Sequence, residues 1–155
     1  KTIHRQKGRT MKTPISRHFC YEEFEQSWTA NQLGIDNRIP SEKIRYAIRL
    51  LVLNLLQPLR DKLQRPLIIT SGYRTPALNQ EVGGSKHSQH MKGEAADVYC
   101  QDAAGVLLVA QTVLRNSLPF DQMVLYKSTL HLSFKSTGQQ RHQILYDQSY
   151  KEAQQ

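Results

Sequence analysis

The 155-residue sequence lacks the features that mark disulfide-rich, membrane-spanning or disordered chains. It has two cysteines, Cys20 and Cys100, which are too few for a disulfide framework. Two independent thiols are the favoured interpretation, and a single bridge is the alternative. No apolar run approaches the roughly 20 residues that span a bilayer, so no transmembrane segment is expected. With 39% hydrophobic and 22% charged residues, the composition indicates a globular rather than a disordered chain.

Acidic residues are missing from the first 17 positions, which hold six basic ones. The other 138 residues carry 15 basic and 13 acidic side chains, so little of the net charge of +8 belongs to them. We therefore predict a flexible basic arm over residues 1–17, one domain over 18–150 and a tail at 151–155. Because the domain itself is nearly neutral, no nucleic-acid partner is expected. The arm could instead tether the domain to an anionic surface.

The spacing of apolar residues predicts helices first and strands later in the chain. A long helix should begin at Ser41 and be interrupted near Pro58, since proline cannot continue the backbone hydrogen bonding of a helix. Further helices are predicted over residues 76–82 and 103–115, and strands over 66–70, 95–99, 121–126, 129–134 and 143–146. This order predicts an α+β fold with a mainly antiparallel sheet flanked by helices. Four early aromatic residues are expected in the core, with a glycan-binding groove as the alternative: Phe19, Tyr21, Phe24 and Trp28.

Two histidines and an aspartate have a pattern that suits a metal. His90 and Asp97 lie seven residues apart, and Asp97 belongs to a predicted strand. His131 lies in a later strand of alternating apolar and polar residues. Two imidazoles and one carboxylate form a ligand set for a catalytic zinc ion, with a fourth position left for water. Spacing alone is equally compatible with structural histidines.

Arg74 follows the predicted strand at 66–70, within the short segment Ser71–Gly72–Tyr73–Arg74. An arginine at the end of a buried strand can direct its forked donors toward a carboxylate or a developing oxyanion. An exposed loop arginine is the alternative interpretation.

These motifs together resemble a known family. Ser71–Arg74 is followed by Ser88-x-His90-x-x-Gly93-x-Ala95-x-Asp97, then by Phe120-Asp121-Gln122 and His131-Leu132-Ser133-Phe134. This ordered series resembles the zinc D-alanyl-D-alanine carboxypeptidases of peptidase family M15, subfamily A type. The similarity covers residues 19–145 and implies the fold that these enzymes share with the Hedgehog signalling domain.

The resemblance implies roles for individual residues. His90, Asp97 and His131 would be the zinc ligands. Arg74 would hold the substrate carbonyl and stabilise the tetrahedral oxyanion, and Ser88 would lie close to the zinc or the substrate.

Other positions of the same motifs have steric or undecided roles. Gly93 and Ala95 would be small because the chain passes near the metal, and Gly72 would allow the bend that directs Arg74 inward. Gln122 is either a substrate-binding residue or an ordinary strand residue. Arg141, beyond the last ligand, is expected in a structural salt bridge.

One departure from the family pattern concerns the general base. Many members carry a carboxylate a few residues before the last zinc histidine, whereas residues 126–130 contain none. Tyr126 could donate a proton to the oxyanion or to the leaving amine, and His87 could shuttle one.

The functional expectation is a monomeric zinc metallopeptidase acting on peptidoglycan stem peptides. A D-Ala-D-Ala carboxypeptidase is favoured, and an endopeptidase is the alternative that the sequence leaves open. A zinc-containing module that binds the peptide without cutting it is the alternative, as is a domain whose basic arm is the functional element. If a signal segment preceded Lys1, the protein would act in the cell envelope or outside the cell. Cytoplasmic synthesis from a phage gene is the other expectation.

Overall fold

The computed structural model describes residues 12–155. Its helices and strands follow one another with short connections. In chain order they are β1 (Pro14–Ser16), β2 (Phe19–Cys20), α1 (Trp28–Leu33), α2 (Glu42–Leu51), α3 (Gln57–Leu63), β3 (Ile69–Ser71), α4 (Pro76–Glu81), β4 (Ala95–Tyr99), α5 (Ala103–Arg115), β5 (Gln122–Leu125), β6 (Thr129–Ser133), β7 (Gln143–Tyr146) and α6 (Gln148–Ala153). Single 3-10 turns lie at Tyr21–Phe24 and Gln89–Lys92.

Five of the strands form the central sheet, in the order β3-β4-β6-β5-β7. All neighbours are antiparallel except β5 and β7, which run parallel. The first two strands pair separately as a small ribbon. The predicted α+β class with a mainly antiparallel sheet is therefore confirmed.

The two faces of this sheet have different surroundings. On one face, alternate residues of the central strands are fully buried, and α5 contacts α3 as well as β5 and β6. The residues on this core face are Ala96, Val98, Met123, Leu125, Leu130 and Leu132. Because side chains alternate along a strand, Gln122, Val124, Asp97 and His131 lie on the opposite face. The core therefore determines which residues are directed away from it.

The long helix predicted from Ser41 is interrupted before Pro58. Ser41 caps the start of α2, and the backbone becomes π-helical over Val52–Leu56 before α3 begins. Proline at position 58 has no N–H to donate to the carbonyl four residues earlier, so a regular α-helix cannot pass through it unchanged. The wider π turn lets the helix continue with its apolar face still in the hydrophobic core.

Several sequence expectations are changed by the structure. Of the predicted arm, residues 1–11 lie outside the described residues, and its last part forms β1. The predicted boundary at residue 150 falls inside α6, where the buried Tyr150 holds the helix against the domain. Trp28 was expected in the core but is 77% exposed, because it begins α1 and only Ala30 of that helix is buried.

The thiols of Cys20 and Cys100 are both buried and unpaired, which agrees with the favoured interpretation of two independent thiols.

Two motif glycines have a different purpose from the one expected. A Cβ at Gly72 would lie 2.7 Å from the Phe24 Cα, so this glycine permits close packing rather than an unusual bend. Gly93 ends a 3-10 turn with φ of +73°, and a Cβ there would lie 2.8 Å from the carbonyl oxygen of Ile44 in α2. Gly93 is therefore small because it packs against a helix, and not because it lies near a metal.

Gly93→Ala is expected to reduce the free energy of unfolding by about 3 kcal/mol, measured by chemical denaturation. Left-handed backbone costs a residue with a Cβ about 1–2 kcal/mol, and the clash with Ile44 adds to this.

Gly138→Ala is the matched control. Its φ is +79°, yet nothing lies within 4 Å of an added Cβ. This variant should lose only the conformational part, about 1 kcal/mol. Equal losses in the two variants would contradict the packing role of Gly93.

Candidate metal centre

The register between β4 and β6 brings two predicted ligands together. Asp97 lies directly opposite His131 in this antiparallel pair. Their side chains therefore project from the same face of the sheet, and the Nδ1 of His131 lies 2.9 Å from the Oδ1 of Asp97. Residues 34 positions apart in the sequence thus become direct neighbours.

His90 reaches the same point from the 3-10 turn that precedes β4. Its Nδ1 donates a hydrogen bond of 2.7 Å to the carbonyl oxygen of Gly72, which can only accept. The proton of a neutral His90 is therefore on Nδ1, and Nε2 presents its lone pair to Asp97. A carbonyl or carboxylate that orients the outer nitrogen in this way is typical of histidines that bind metals.

These three side chains fit a metal ion by their own chemistry. Their potential ligand atoms all lie within 4.8 Å of one another. The Nε2 of His90 is 3.3 Å from the Oδ1 of Asp97, and in the neutral tautomer both are electron-pair donors. Two such atoms at this distance repel each other unless a proton or a cation lies between them. Nitrogen and oxygen donors of this kind suit zinc.

The charges around Asp97 favour its ionised form. Burial by itself would raise the pKa of this carboxyl group, but the charge and hydrogen bonds that His90 and His131 supply in their protonated forms lower it well below its ordinary value. Asp97 therefore remains an anion across the physiological pH range, as a metal ligand must be.

Arg74 lies beside the three ligand residues. Its Nη2 is 3.5 Å from the Oδ2 of Asp97, and its backbone N–H donates to the carbonyl of His90. Burial lowers the pKa of the guanidinium, an effect that the charge of Asp97 opposes. As predicted, Arg74 follows a strand, β3, and its side chain is directed inward.

Two asparagines that the sequence reasoning did not single out as site residues hold Arg74 in place. The buried Asn79 accepts from the Nη1 of Arg74 at 3.3 Å and donates to the carbonyl of Ser85. Asn37 donates to the carbonyl of Tyr73 and accepts from the N–H of Thr75. The backbone is thus held on both sides of Arg74. Only the tertiary structure reveals these contacts, although Asn37 belongs to a segment that resembles the family.

An open cavity of about 470 Å³ surrounds the site. The other predicted site residues line it, but they differ in exposure. Tyr126 is 37% exposed, while His87 lies exposed at the rim. The Oγ of Ser88 accepts from the N–H of His90, and Gln122 donates to the side chain of Gln143. Ser88 therefore also has a structural contact that holds the ligand turn.

Among the described residues, Asp97 is the one carboxylate that lines the cavity. Asp121, the nearest acidic residue before His131 in the sequence, is completely buried. Its carboxylate accepts from the N–H, Nε and Nη2 of Arg141 at 2.8–3.1 Å. The salt bridge expected for Arg141 is therefore present, and the carboxylate of Asp121 takes part in it.

The fold and site together define an α+β domain in which a His-Asp-His triad that could hold a metal ion lines an open cavity. A family model described as Peptidase M15 matches residues 17–133, about three quarters of the chain. The protein therefore belongs to the peptidase M15 family, which supports a metallopeptidase with a peptide substrate. Comparison with curated proteins yields no match. Within residues 12–155, every helix is too short or too polar to cross a membrane.

The Asp121–Arg141 pair is expected to make stability depend on pH. Burial would raise the pKa of Asp121, but the hydrogen bonds from Arg141 outweigh this and lower it. Asp121→Asn should reduce the free energy of unfolding by about 2 kcal/mol at pH 7. The difference from wild type should narrow below about pH 4 and disappear below the native pKa, because protonation removes the contribution of the ionised carboxylate.

Asp36→Asn is the control for this pH series. Asp36 pairs with Arg38 at 2.8 Å, but both side chains are exposed. Removing an exposed pair of this kind changes stability little. A loss in Asp121→Asn that stayed constant from pH 7 to pH 3 would contradict the role of the charge.

Proposed function

We propose that the protein is a zinc-dependent peptidase that hydrolyses the D-Ala–D-Ala bond of peptidoglycan stem peptides. The observation that carries this proposal is the convergence of His90, Asp97 and His131 on one point, with Arg74 beside them in an open cavity. Membership in the peptidase M15 family supports the reaction class. Hydrolysis of stem peptides would place the action of the protein at the cell wall.

In this proposal His90, Asp97 and His131 would hold zinc at the wall of the cavity. Bound zinc supplies Lewis-acid polarisation of a carbonyl and activation of water. Gly72 determines the tautomer of His90, and the core behind β4 and β6 prevents Asp97 and His131 from moving apart. The ligand atoms are thus preorganised before a metal binds.

Arg74 is proposed to bind the carbonyl oxygen of the substrate as it gains negative charge. Ser71 and Asn79 hold the Nε and Nη1 of its guanidinium, which leaves Nη2 directed to the space beside Asp97. Because this donor is already fixed and largely shielded from water, it stabilises developing charge without having to reorganise.

Tyr126 is proposed as the proton donor to the oxyanion or to the leaving amine, with His87 as the residue that exchanges protons with solvent. Burial and the charge of Asp97 raise the pKa of Tyr126, an effect that Arg74 partly offsets. The phenol is therefore protonated at neutral pH and can donate a hydrogen bond. His87, exposed at the rim, lies between the cavity and water.

A second candidate function is binding of the stem peptide without hydrolysis. The observation that favours it is the lack of any carboxylate except Asp97 among the described residues of the cavity wall. A missing general base costs on the order of 100- to 10,000-fold in rate. Zinc content and turnover together separate the two functions.

The decisive experiment measures zinc content and hydrolysis of a peptide that ends in D-Ala-D-Ala. The wild type is expected to bind one zinc and to release D-alanine. His131→Ala should lose zinc and activity together, because two of three ligands rarely hold zinc tightly. Arg74→Ala should keep its zinc and lose about 100- to 1,000-fold in kcat.

Arg115→Ala is the control for the loss of a positive charge, since Arg115 lies exposed at the end of α5. Both its zinc content and its activity should match the wild type. Stoichiometric zinc with no release of D-alanine by the wild type would favour the binding function. Zinc retained in His131→Ala would show that the ligand set is wrong.

Tyr126→Phe separates the two proposed proton carriers. Removing the hydroxyl should lower kcat about 100-fold with KM and zinc content unchanged, because a donor to a developing oxyanion acts in the transition state. His87→Gln should lower kcat less, and added imidazole should restore part of it. Unchanged kcat in Tyr126→Phe would exclude the phenol as the proton donor.

A further inference from the structure

Two arginine side chains line the cavity of a domain that is nearly neutral. Its wall contains two arginines, Arg74 and Arg141, and a single carboxylate, that of Asp97. Arg74 lies next to the proposed metal ligands, whereas Arg141 lies in the connection between β6 and β7. An arginine side chain can bind a carboxylate through two parallel hydrogen bonds from its guanidinium. The arginine away from the metal ligands has no part in the proposed chemistry.

We propose that Arg141 forms a subsite for a carboxylate of the substrate, on the acyl side of the bond that is cut. This inference rests on the proposed function and defines its substrate class more narrowly. The substrate would be a stem peptide with a free carboxylate about three residues before the scissile bond.

The guanidinium of Arg141 has one edge occupied and one edge free. Asp121 accepts from Nε and from Nη2, which together form the side edge of the group. Within residues 12–155, Nη1 donates to no protein acceptor, and half of the side chain is exposed. The end edge, formed by Nη1 and Nη2, can therefore donate two parallel hydrogen bonds to a second carboxylate.

Asp121 orients Arg141 rather than saturating it. The carboxylate of Asp121 is completely buried, so it cannot follow the guanidinium into the cavity. It fixes the plane of the arginine and neutralises its charge from beneath. Because the arginine is already ordered, binding a substrate carboxylate costs little side-chain entropy.

The loop that carries Arg141 is also held at several points. The buried Glu94 accepts from the N–H and the Oγ of Ser136, at 2.9 and 2.7 Å. Gln140 exchanges two hydrogen bonds with the backbone of Lys135. The loop is thus tied to the segment between His90 and Asp97, which keeps Arg141 at a constant distance from the metal ligands.

This distance can be expressed in residues of an extended peptide. Val124 lies opposite His131, and Asp121 is three residues earlier in the chain, about 10 Å along the strand direction. An extended peptide covers about 3.3 Å per residue, so three residues reach from the ligands to Arg141. Since a carboxypeptidase removes one residue, a group so far from the cut belongs to the acyl side.

The test uses paired pentapeptides that end in D-Ala-D-Ala. One residue, placed two, three or four positions before the scissile bond, is Glu in one peptide and Gln in its partner. For the wild type, KM should be about 10- to 100-fold lower for the Glu peptide at one of these positions, the range expected for charged hydrogen bonds. The kcat should not change, because the contact is remote from the reacting atoms.

The protein variants remove Arg141 without leaving a buried charge. In the double variant Asp121→Asn/Arg141→Gln, the preference for Glu over Gln should disappear. Arg141→Lys keeps a charge but not the fork, and should retain only part of the preference. Arg115→Gln, on the far end of α5, should retain all of it. Since each preference compares two peptides on one variant, a loss of stability does not affect it.

A binding measurement decides the inference even without hydrolysis. The same peptides are titrated into zinc-loaded wild-type protein with ¹⁵N-labelled arginine, and the Nε signal that is missing from Arg141→Lys is followed by NMR. A shift of this signal with Glu but not Gln peptides supports the subsite, whether or not the peptides are cut. Hydrolysis with equal KM for Glu and Gln at all three positions would overturn the subsite and leave the proposed function standing. Absence of hydrolysis, with the NMR shift present, would overturn only the proposed function.

Discussion

The register between β4 and β6 is the constraint on which the site depends. It places Asp97 opposite His131, with Ala96 opposite Leu132 and Val98 opposite Leu130. The four apolar neighbours are all fully buried, so the core enforces this pairing. A slip of one residue would turn Asp97 into the core and an alanine or valine toward the cavity. The close approach of Asp97 and His131 is therefore a consequence of apolar packing on the other face of the sheet.

His90 and Arg74 lie on two segments beside this sheet, and reciprocal hydrogen bonds join these segments to each other. His90 donates to the carbonyl of Gly72, and Arg74 donates from its backbone to the carbonyl of His90. Neither segment can move without breaking a bond of the other. Gly72 makes this possible because any side chain at that position would collide with Phe24. These hydrogen bonds tie the two segments to each other, which favours a preorganised centre.

Much of the fold could be predicted from the sequence, and the errors have identifiable causes. The strand at 95–99 and the helix at 103–115 are confirmed with their predicted ends: the helix has a clear apolar periodicity, and the strand is a short apolar segment with Asp97 as its polar residue. Trp28 was misplaced because hydrophobicity alone does not tell whether a partner exists for a side chain. The reason for the glycines was also misjudged: the family resemblance implies that Gly93 is close to the metal, whereas its contact is with α2. Asn79 was missed because a polar residue in a short helix carries no signal of its partner.

The sequence by itself determined the residue types of the site, the alternation that directs them to one face, and the family to which the chain belongs. The tertiary structure alone decided which atoms meet. Only the folded chain shows that the Nδ1 of His90 is committed to Gly72, that Asp121 is buried beneath Arg141, and that two arginines line one cavity. The physical reason is that periodicity and propensity act over a few residues. Charge pairing and hydrogen-bond geometry, in contrast, join side chains far apart in sequence, and they are specified only when the core brings their strands and loops together.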